Sequence, residues 1–566
     1  MHHLSARWAK LAALLAVFAL IVPLGVSAIP AAAQDGGKVL RVHHSTYPDV
    51  VDPQKSSYTN EIDILALAYE GLTRLDDNQQ LVPAAAESWE FNEDGTVLTF
   101  HLREGLTYSD GSPLTAENFR YAVERTCDPN TAGEYQSILF EIVGCAELAG
   151  LAGEAPGEGT PAPEMDQAAY DEALANLGAV AVDDRTLELT LTNVAPYFET
   201  IAYTWVFYPV KREIAEADPD NWWQTAENHV GNGPFTITGI DEDQQITFAA
   251  NESYWQGRPL LDGIEYRYVK DSAVALEAYR SGDLDIVQLE PPQIPEVTED
   301  PELSEAYVTY PTASTYNLAF NLKQAPFEDL NVRKAFSHAF DRETYCTEIR
   351  SGDCTPTLTW IPEGIDGHVP SDKYGYDEEA AKAALAASTY KSAEGLPEIS
   401  LFYNSDLSGA TERAEFVAGE MLRVLGVEIT LEPTDGTTLT SLRKDNATHP
   451  QLLLVGGWIQ DYPDPQNWLS VYWTCASTFA QRVGYCNEEI DDLIKQGDTT
   501  VDPEARIGFY EQAGELLIED VPGPFLYNLA GTFVVNPAVT GYTPTRSDVE
   551  WPGLYGSIMT IDIAQE

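Results

Sequence analysis

Basic residues are scarce in this chain: 32 Lys and Arg stand against 90 Asp and Glu in 566 residues, a formal net charge of −58. A field of that sign repels phosphate backbones and makes nucleic acid a poor partner. It attracts cationic solutes, although a salt-adapted surface accounts for the same excess. Long apolar runs are missing beyond the N-terminal segment, and none approaches the roughly 18 uninterrupted residues that a spanning helix needs. Catalytic signatures are missing too. No Gly-x-Ser-x-Gly elbow, His-Glu-x-x-His pair or Walker loop occurs, and the nine histidines are scattered. His43 and His44 are adjacent, so on a strand they point to opposite faces and cannot share a metal. Carboxylates are so plentiful that any pair chosen as a glycosidase couple carries little weight. We therefore expect no catalytic constellation, no metal and no cofactor.

The N-terminus carries Arg7 and Lys10, an apolar run from Leu11 to Val22, and small residues ending Ala31-Ala32-Ala33-Gln34. That order describes a secretory signal peptide over residues 1–33. No cysteine stands near the cut, so a lipid anchor is not expected, and the mature protein should be soluble, in the periplasm or outside the cell. Six cysteines in an exported chain invite pairing. Their spacing suggests local staples, Cys127 with Cys145, Cys346 with Cys354 and Cys475 with Cys486, out of about 15 possible connectivities. The length implies two or three domains.

Taken in order, Val39 to His43 reads as a strand and Asn60 to Ala68 as a helix. Val97 to Leu102 alternates as a strand, and Thr115 is placed to cap a helix over Ala116 to Arg125. Residues 150–166 are rich in Gly, Pro, Ala and Glu and read as an exposed insertion. Gly231 to Phe235 marks a tight turn, and Asn331 is placed to cap the next clear helix. The second half then runs strand Ile399 to Tyr403, helix Ala410 to Leu425, strand Val427 to Leu431, helix Leu439 to Arg443 and strand Gln451 to Val455. This β-α-β-α-β order predicts a parallel sheet.

The stretch that organises the reading is Gly456 to Trp468. Two glycines end the strand, and beyond them Asp461 stands among Trp458, Tyr462, Trp468, Tyr472 and Trp473. Loops at the carboxyl ends of parallel strands line ligand crevices. A carboxylate among aromatic faces there suits a ligand ammonium. A Pro/Asp-rich surface turn backed by core tryptophans is the other reading of the same residues. The loop Asn404 to Gly409 opens on the same sheet edge, so Arg413 and Asp461 are expected to face one cleft. The alternative for Arg413 is a surface pair with Glu412 or Glu415.

As a whole the chain resembles extracellular solute-binding family 5, the dipeptide- and oligopeptide-binding proteins of ABC importers. The likeness is carried by Tyr69-Glu70-Gly71-Leu72, Ala86-Glu87-Ser88-Trp89, Ser109-Asp110-Gly111, Gly233-Pro234-Phe235, Asn331-Val332-Arg333-Lys334-Ala335 and Trp458 to Pro465, in order along the mature chain. The resemblance implies an α/β type II periplasmic-binding architecture of two lobes with an interlobe cleft plus an extra subdomain. The first lobe would comprise residues 35–80, 206–312 and 526–566, the extra subdomain 81–205, and the second lobe 313–525. It implies a non-enzymatic, monomeric receptor that takes peptides to a membrane permease. Asp461 would accept the ligand ammonium and Arg413 would meet a carboxylate. Trp458, Tyr462 and Trp468 would wall the pocket, and Ser57 and Tyr58 would offer backbone contacts. An oligosaccharide is the competing cargo, because aromatics also stack on sugars; a secreted hydrolase is the more distant rival.

Overall fold

The strand Phe525–Val535 is the longest in the protein and ties its two halves together. Its C-terminal half pairs with Ile286–Gln288 and Tyr307–Pro311, and its N-terminal half with Ser314–Phe320 and Cys354–Pro356. The result is a 12-stranded sheet. On one side of the long strand lie Ile286–Gln288, Val39–His44, Gly263–Tyr268, Gln245–Ala250 and Phe235–Asp241. On the other lie Ser314–Phe320, Leu452–Ile459, Ile399–Asn404 and, at the edge, Ile429–Thr434. A separate four-stranded antiparallel sheet is built from residues 86–190. This computed structural model describes residues 37–151 and 165–564; the expected signal peptide, residues 1–33, and most of the expected insertion, residues 152–164, lie outside them.

Each half has its own apolar core. One gathers Leu40, Val42, Ile64, Ile264 and Tyr266, and continues under the four-stranded sheet through Phe100 and Phe119. The other half divides between a cluster around Phe320, Phe336, Leu401 and Val417 and a second around Trp360, Trp468, Trp473 and Tyr510. All three expected disulfides are formed, with Cα separations of 5.1, 5.3 and 4.5 Å. Among the described residues no helix is long and apolar enough to cross a membrane.

The parallel pairing of the second half follows the expected order: Ile399–Asn404 lies parallel to both Ile429–Thr434 and Leu452–Ile459. Several details differ from the expectation, and three have a clear local reason. Gly426 ends the preceding helix in the left-handed region at φ 70°, which delays the next strand to Ile429–Thr434. That strand contains Pro433, tolerated because it lies at the sheet edge. The helix Leu330–Ala339 is capped by Asp329, whose carboxylate accepts from the Asn331 N–H, and not by Asn331 itself. Gly231 and Gly233 are required by close approach instead of by a turn: a Cβ on either would meet the Ala68 backbone within 1.9 and 2.6 Å.

Candidate ligand-binding cleft

The strand Leu452–Ile459 runs straight through Gly456 and Gly457, so the glycines do not stop it. Their purpose is proximity to the antiparallel neighbour Ser314–Phe320. A Cβ at Gly456 would stand 2.6 Å from the Asn317 side-chain oxygen, and one at Gly457 would stand 2.7 Å from the Thr315 carbonyl. The chain then leaves the sheet at Gln460, whose N–H donates to the Ala313 carbonyl at 2.9 Å. It re-enters a helix at Pro465, with Asp464 as N-cap accepting from the Gln466 N–H at 2.9 Å.

Asp461 sits in the intervening loop, on the wall of a cavity of about 470 Å³ that both halves of the molecule line. Asn467, one turn into the helix, fixes it. Its amide donates to Asp461 Oδ2 at 2.9 Å, while its carbonyl oxygen accepts from the Asp461 N–H at 3.0 Å and the Trp458 indole at 2.9 Å. From the other side of the cavity the Tyr135 hydroxyl donates to Asp461 Oδ1 at 3.3 Å, and the Tyr203 hydroxyl donates to the Asp461 carbonyl. Burial beside this carboxylate pushes both phenols up, so both remain donors. Desolvation pushes Asp461 itself up to about 6, against the opposing hydrogen bonds from Asn467 and Tyr135. No cation contributes to that balance. The carboxylate therefore keeps acceptor capacity for a donor that the protein does not supply.

Arg413 lies on the same cavity, in the first turn of the helix Ala410–Leu425. It is 9% exposed and pairs with neither Glu412 nor Glu415, which rules out the surface alternative. Arg443 and Arg546 also line the cavity. Among the described residues, none of these three guanidinium groups is engaged in an ion pair or a side-chain hydrogen bond. Trp458 lines the cavity and packs its ring against Tyr472 and Phe479 at 5.6 and 5.0 Å.

Two of the expected wall residues lie elsewhere. Tyr462 is buried in the core of the first half, with its hydroxyl bonded to Gln466. Trp468 is fully buried in the tryptophan-rich cluster, its indole donating to Gln460 at 3.2 Å. Both rings pack into apolar clusters and are absent from the cavity wall. Ser57 and Tyr58 do line the cavity, but their backbone N–H groups donate to Glu61 at 2.9 and 3.2 Å. What they offer a ligand is side chain, not backbone donors.

Tyr135, Tyr203, Asn467, Arg443 and Arg546 escaped the sequence reading. Tyr135 and Tyr203 are 326 and 258 residues from the aspartate they touch, and no local pattern signals such contacts. His44 escaped as well. It does not share a face with His43, but it meets Asp63 and Glu550 on the cavity's first-half wall.

Two α/β halves tied by one long strand, with a cleft between them, define the class of solute receptors whose ligand lies between two lobes. The profile of bacterial extracellular solute-binding proteins, family 5, matches residues 80–480, and the chain belongs to that family. It is 27% identical over 524 residues to the oligopeptide-binding protein OppA of Bacillus subtilis, covering 89% of this chain and 90% of that protein. It is 29% identical over 517 residues to the probable deoxycholate-binding periplasmic protein YgiS of Escherichia coli, covering 89% and 90%. Among solved structures it is similar to Haemophilus influenzae OppA in complex with the peptide RPPGFSPFR, with a TM-score of 0.74, 25% identity, and 94% and 100% of the two chains covered.

Proposed function

We propose that this protein is the exported, monomeric, non-enzymatic receptor of an ABC importer, and that it captures peptides and hands them to a membrane permease. Its two lobes, residues 35–80, 206–312 and 526–566 against residues 313–525, close over the cargo, with residues 81–205 as the extra subdomain. One observation carries the choice of cargo. Asp461 and Arg413 each lack an ion-pair partner among the described residues, yet both line one cavity. A zwitterion satisfies both. The peptide ammonium is accepted by Asp461 between Tyr135 and Asn467, and a carboxylate meets Arg413. Closure removes water and strengthens both contacts. The peptide held by the H. influenzae relative supports the same class of ligand.

A second reading follows from the three arginines and the YgiS likeness: an amphipathic carboxylate such as deoxycholate. Such a ligand has no ammonium and leaves Asp461 desolvated without a partner, which disfavours it. A neutral oligosaccharide leaves both charges unmatched. Thermal-shift measurements with short peptides, deoxycholate and oligosaccharides separate the three. A ligand at about 100 times its dissociation constant stabilises the fold by about 2.7 kcal/mol. No response across a broad peptide panel ends the peptide reading, and a response to deoxycholate alone moves the assignment to the second one.

A further inference from the structure

Three potential metal donors meet on the cleft wall opposite Asp461, and they come from three remote segments. His44 ends the strand Val39–His44, Asp63 lies in the helix Thr59–Ala68, and Glu550 belongs to the C-terminal segment. His44 Nε2 is 3.4 Å from Asp63 Oδ2, and His44 Nδ1 is 3.7 Å from Glu550 Oε2. One ligand atom from each residue can be chosen so that all three lie within 4.8 Å of one another. A second observation concerns partners. His44 is 4% and Asp63 1% exposed, yet His44 Nε2 and both carboxylate oxygens of Asp63 lack a hydrogen-bond partner. The Tyr266 oxygen accepts the Trp551 indole N–H at 2.8 Å, and its single proton can serve at most one of the two Asp63 oxygens. Buried polar atoms left in this way are unusual and call for an occupant.

We infer that His44, Asp63 and Glu550 form a site for a divalent transition-metal ion of the zinc class, with its open positions facing the cleft. This goes beyond the peptide reading and does not depend on it. One imidazole nitrogen with two carboxylates is a donor set for such ions, whereas calcium and magnesium prefer oxygen alone. Around an ion with bonds of about 2.1 Å, neighbouring ligand atoms sit roughly 3–3.5 Å apart. The His44–Asp63 separation already falls in that range. Glu550, whose side chain is 20% exposed, is the ligand free to swing in. Because Asp63 and Glu550 both line the cavity, the remaining positions open toward the bound solute. The competing explanation is a protonated His44 that faces Asp63 with Nε2 and Glu550 with Nδ1; it predicts no saturable Zn²⁺ binding.

The test is titration of the chelator-stripped full chain with Zn²⁺ by calorimetry, beside Mg²⁺ and Ca²⁺, and a Co²⁺ absorption spectrum. We expect one saturable Zn²⁺ site that Mg²⁺ and Ca²⁺ do not match, and cobalt bands that report imidazole ligation. His44→Gln and Glu550→Gln should each weaken Zn²⁺ binding by at least about tenfold. Glu550 is only partly buried at the cleft wall, so its variant decides the matter even if His44→Gln fails to fold. Asp461→Ala should leave metal binding unchanged, which separates failure of this site from failure of the peptide reading. No saturable Zn²⁺ binding overturns the assignment. So does wild-type affinity in Glu550→Gln, because the ion is then held elsewhere on the acidic surface.

Discussion

Asp461 and Asp464 stand in one loop, three residues apart, and the protein treats them in opposite ways. Asp464 is 7% exposed, caps a helix, and is gripped by both terminal nitrogens of Arg506 at 2.9 and 2.6 Å. Arg506 also donates to the Tyr510 hydroxyl at 3.1 Å, and that hydroxyl donates to Asp498 at 2.7 Å. Asp461 is half-buried in the same loop and is held only by neutral donors. A structural charge is therefore closed off by an opposite charge, and the cleft-facing one is oriented and left electrically unmatched. Orientation without neutralisation is what a site for an incoming cationic group needs.

The largest expected effect tests the inner member of this pair. Arg506→Met leaves Asp464 buried without its partner and should cost about 3–5 kcal/mol of stability, read as a fall in the urea midpoint. If the loss is no greater than that of Asp461→Ala, the contrast collapses.

Asp461→Ala should behave in reverse. Peptide affinity falls at least about tenfold, about 1.4 kcal/mol, while the urea midpoint stays or rises because a desolvated carboxylate has gone. Unchanged affinity removes Asp461 from the site.

Acidity sharpens the comparison. The Asp461 carboxyl is raised from its ordinary 3.8 to about 6 in the fold. Between those values the folded state binds more protons than the unfolded one, so this group's contribution to stability declines as pH rises through the window. Ligand binding runs the other way, since an ammonium needs the ionised carboxylate. Peptide affinity should weaken below pH 6 by about tenfold per unit, and Asp461→Asn should flatten that slope. A wild-type slope in the variant assigns the titration to another group, with Asp498, also pushed up to about 6, the first to examine.

The cleft-facing side of this contrast was legible in the chain before folding; the Asp464–Arg506 pair, 42 residues apart, was not. Asp461 and Trp458 follow from the family likeness, and Arg413 from the rule that loops at the carboxyl ends of parallel strands share an edge. That rule uses only element order, which periodicity reveals well. Tyr462 and Trp468 were misplaced because composition places aromatics near a loop without telling which side they face. The glycines were misread because a run of Gly in a strand encodes the neighbour's closeness, here Asn317 and Thr315, and the neighbour is not in the local sequence. The His44, Asp63 and Glu550 cluster was invisible for the same reason: its members lie far apart in the chain and only the fold gathers them.

The smallest effect expected concerns Asn467, which serves both sides of the loop. It lies in the helix that Asp464 caps, and its side chain fixes both Asp461 and Trp458. Asn467→Ala removes one donor from the carboxylate and the acceptor shared by the indole and the Asp461 N–H, but leaves the charge in place. At a cleft wall where water can take the place of the lost amide, such hydrogen bonds contribute about 0.5–1.5 kcal/mol net, so peptide affinity should drop by a factor of about three to ten. The loss of a donor should also move the onset of the acidic weakening to higher pH, because that bond holds the Asp461 carboxyl down. A drop in affinity with the pH onset unmoved would mean that Asn467 acts through Trp458 and the shape of the wall, and that Asp461 is oriented chiefly by Tyr135 and Tyr203.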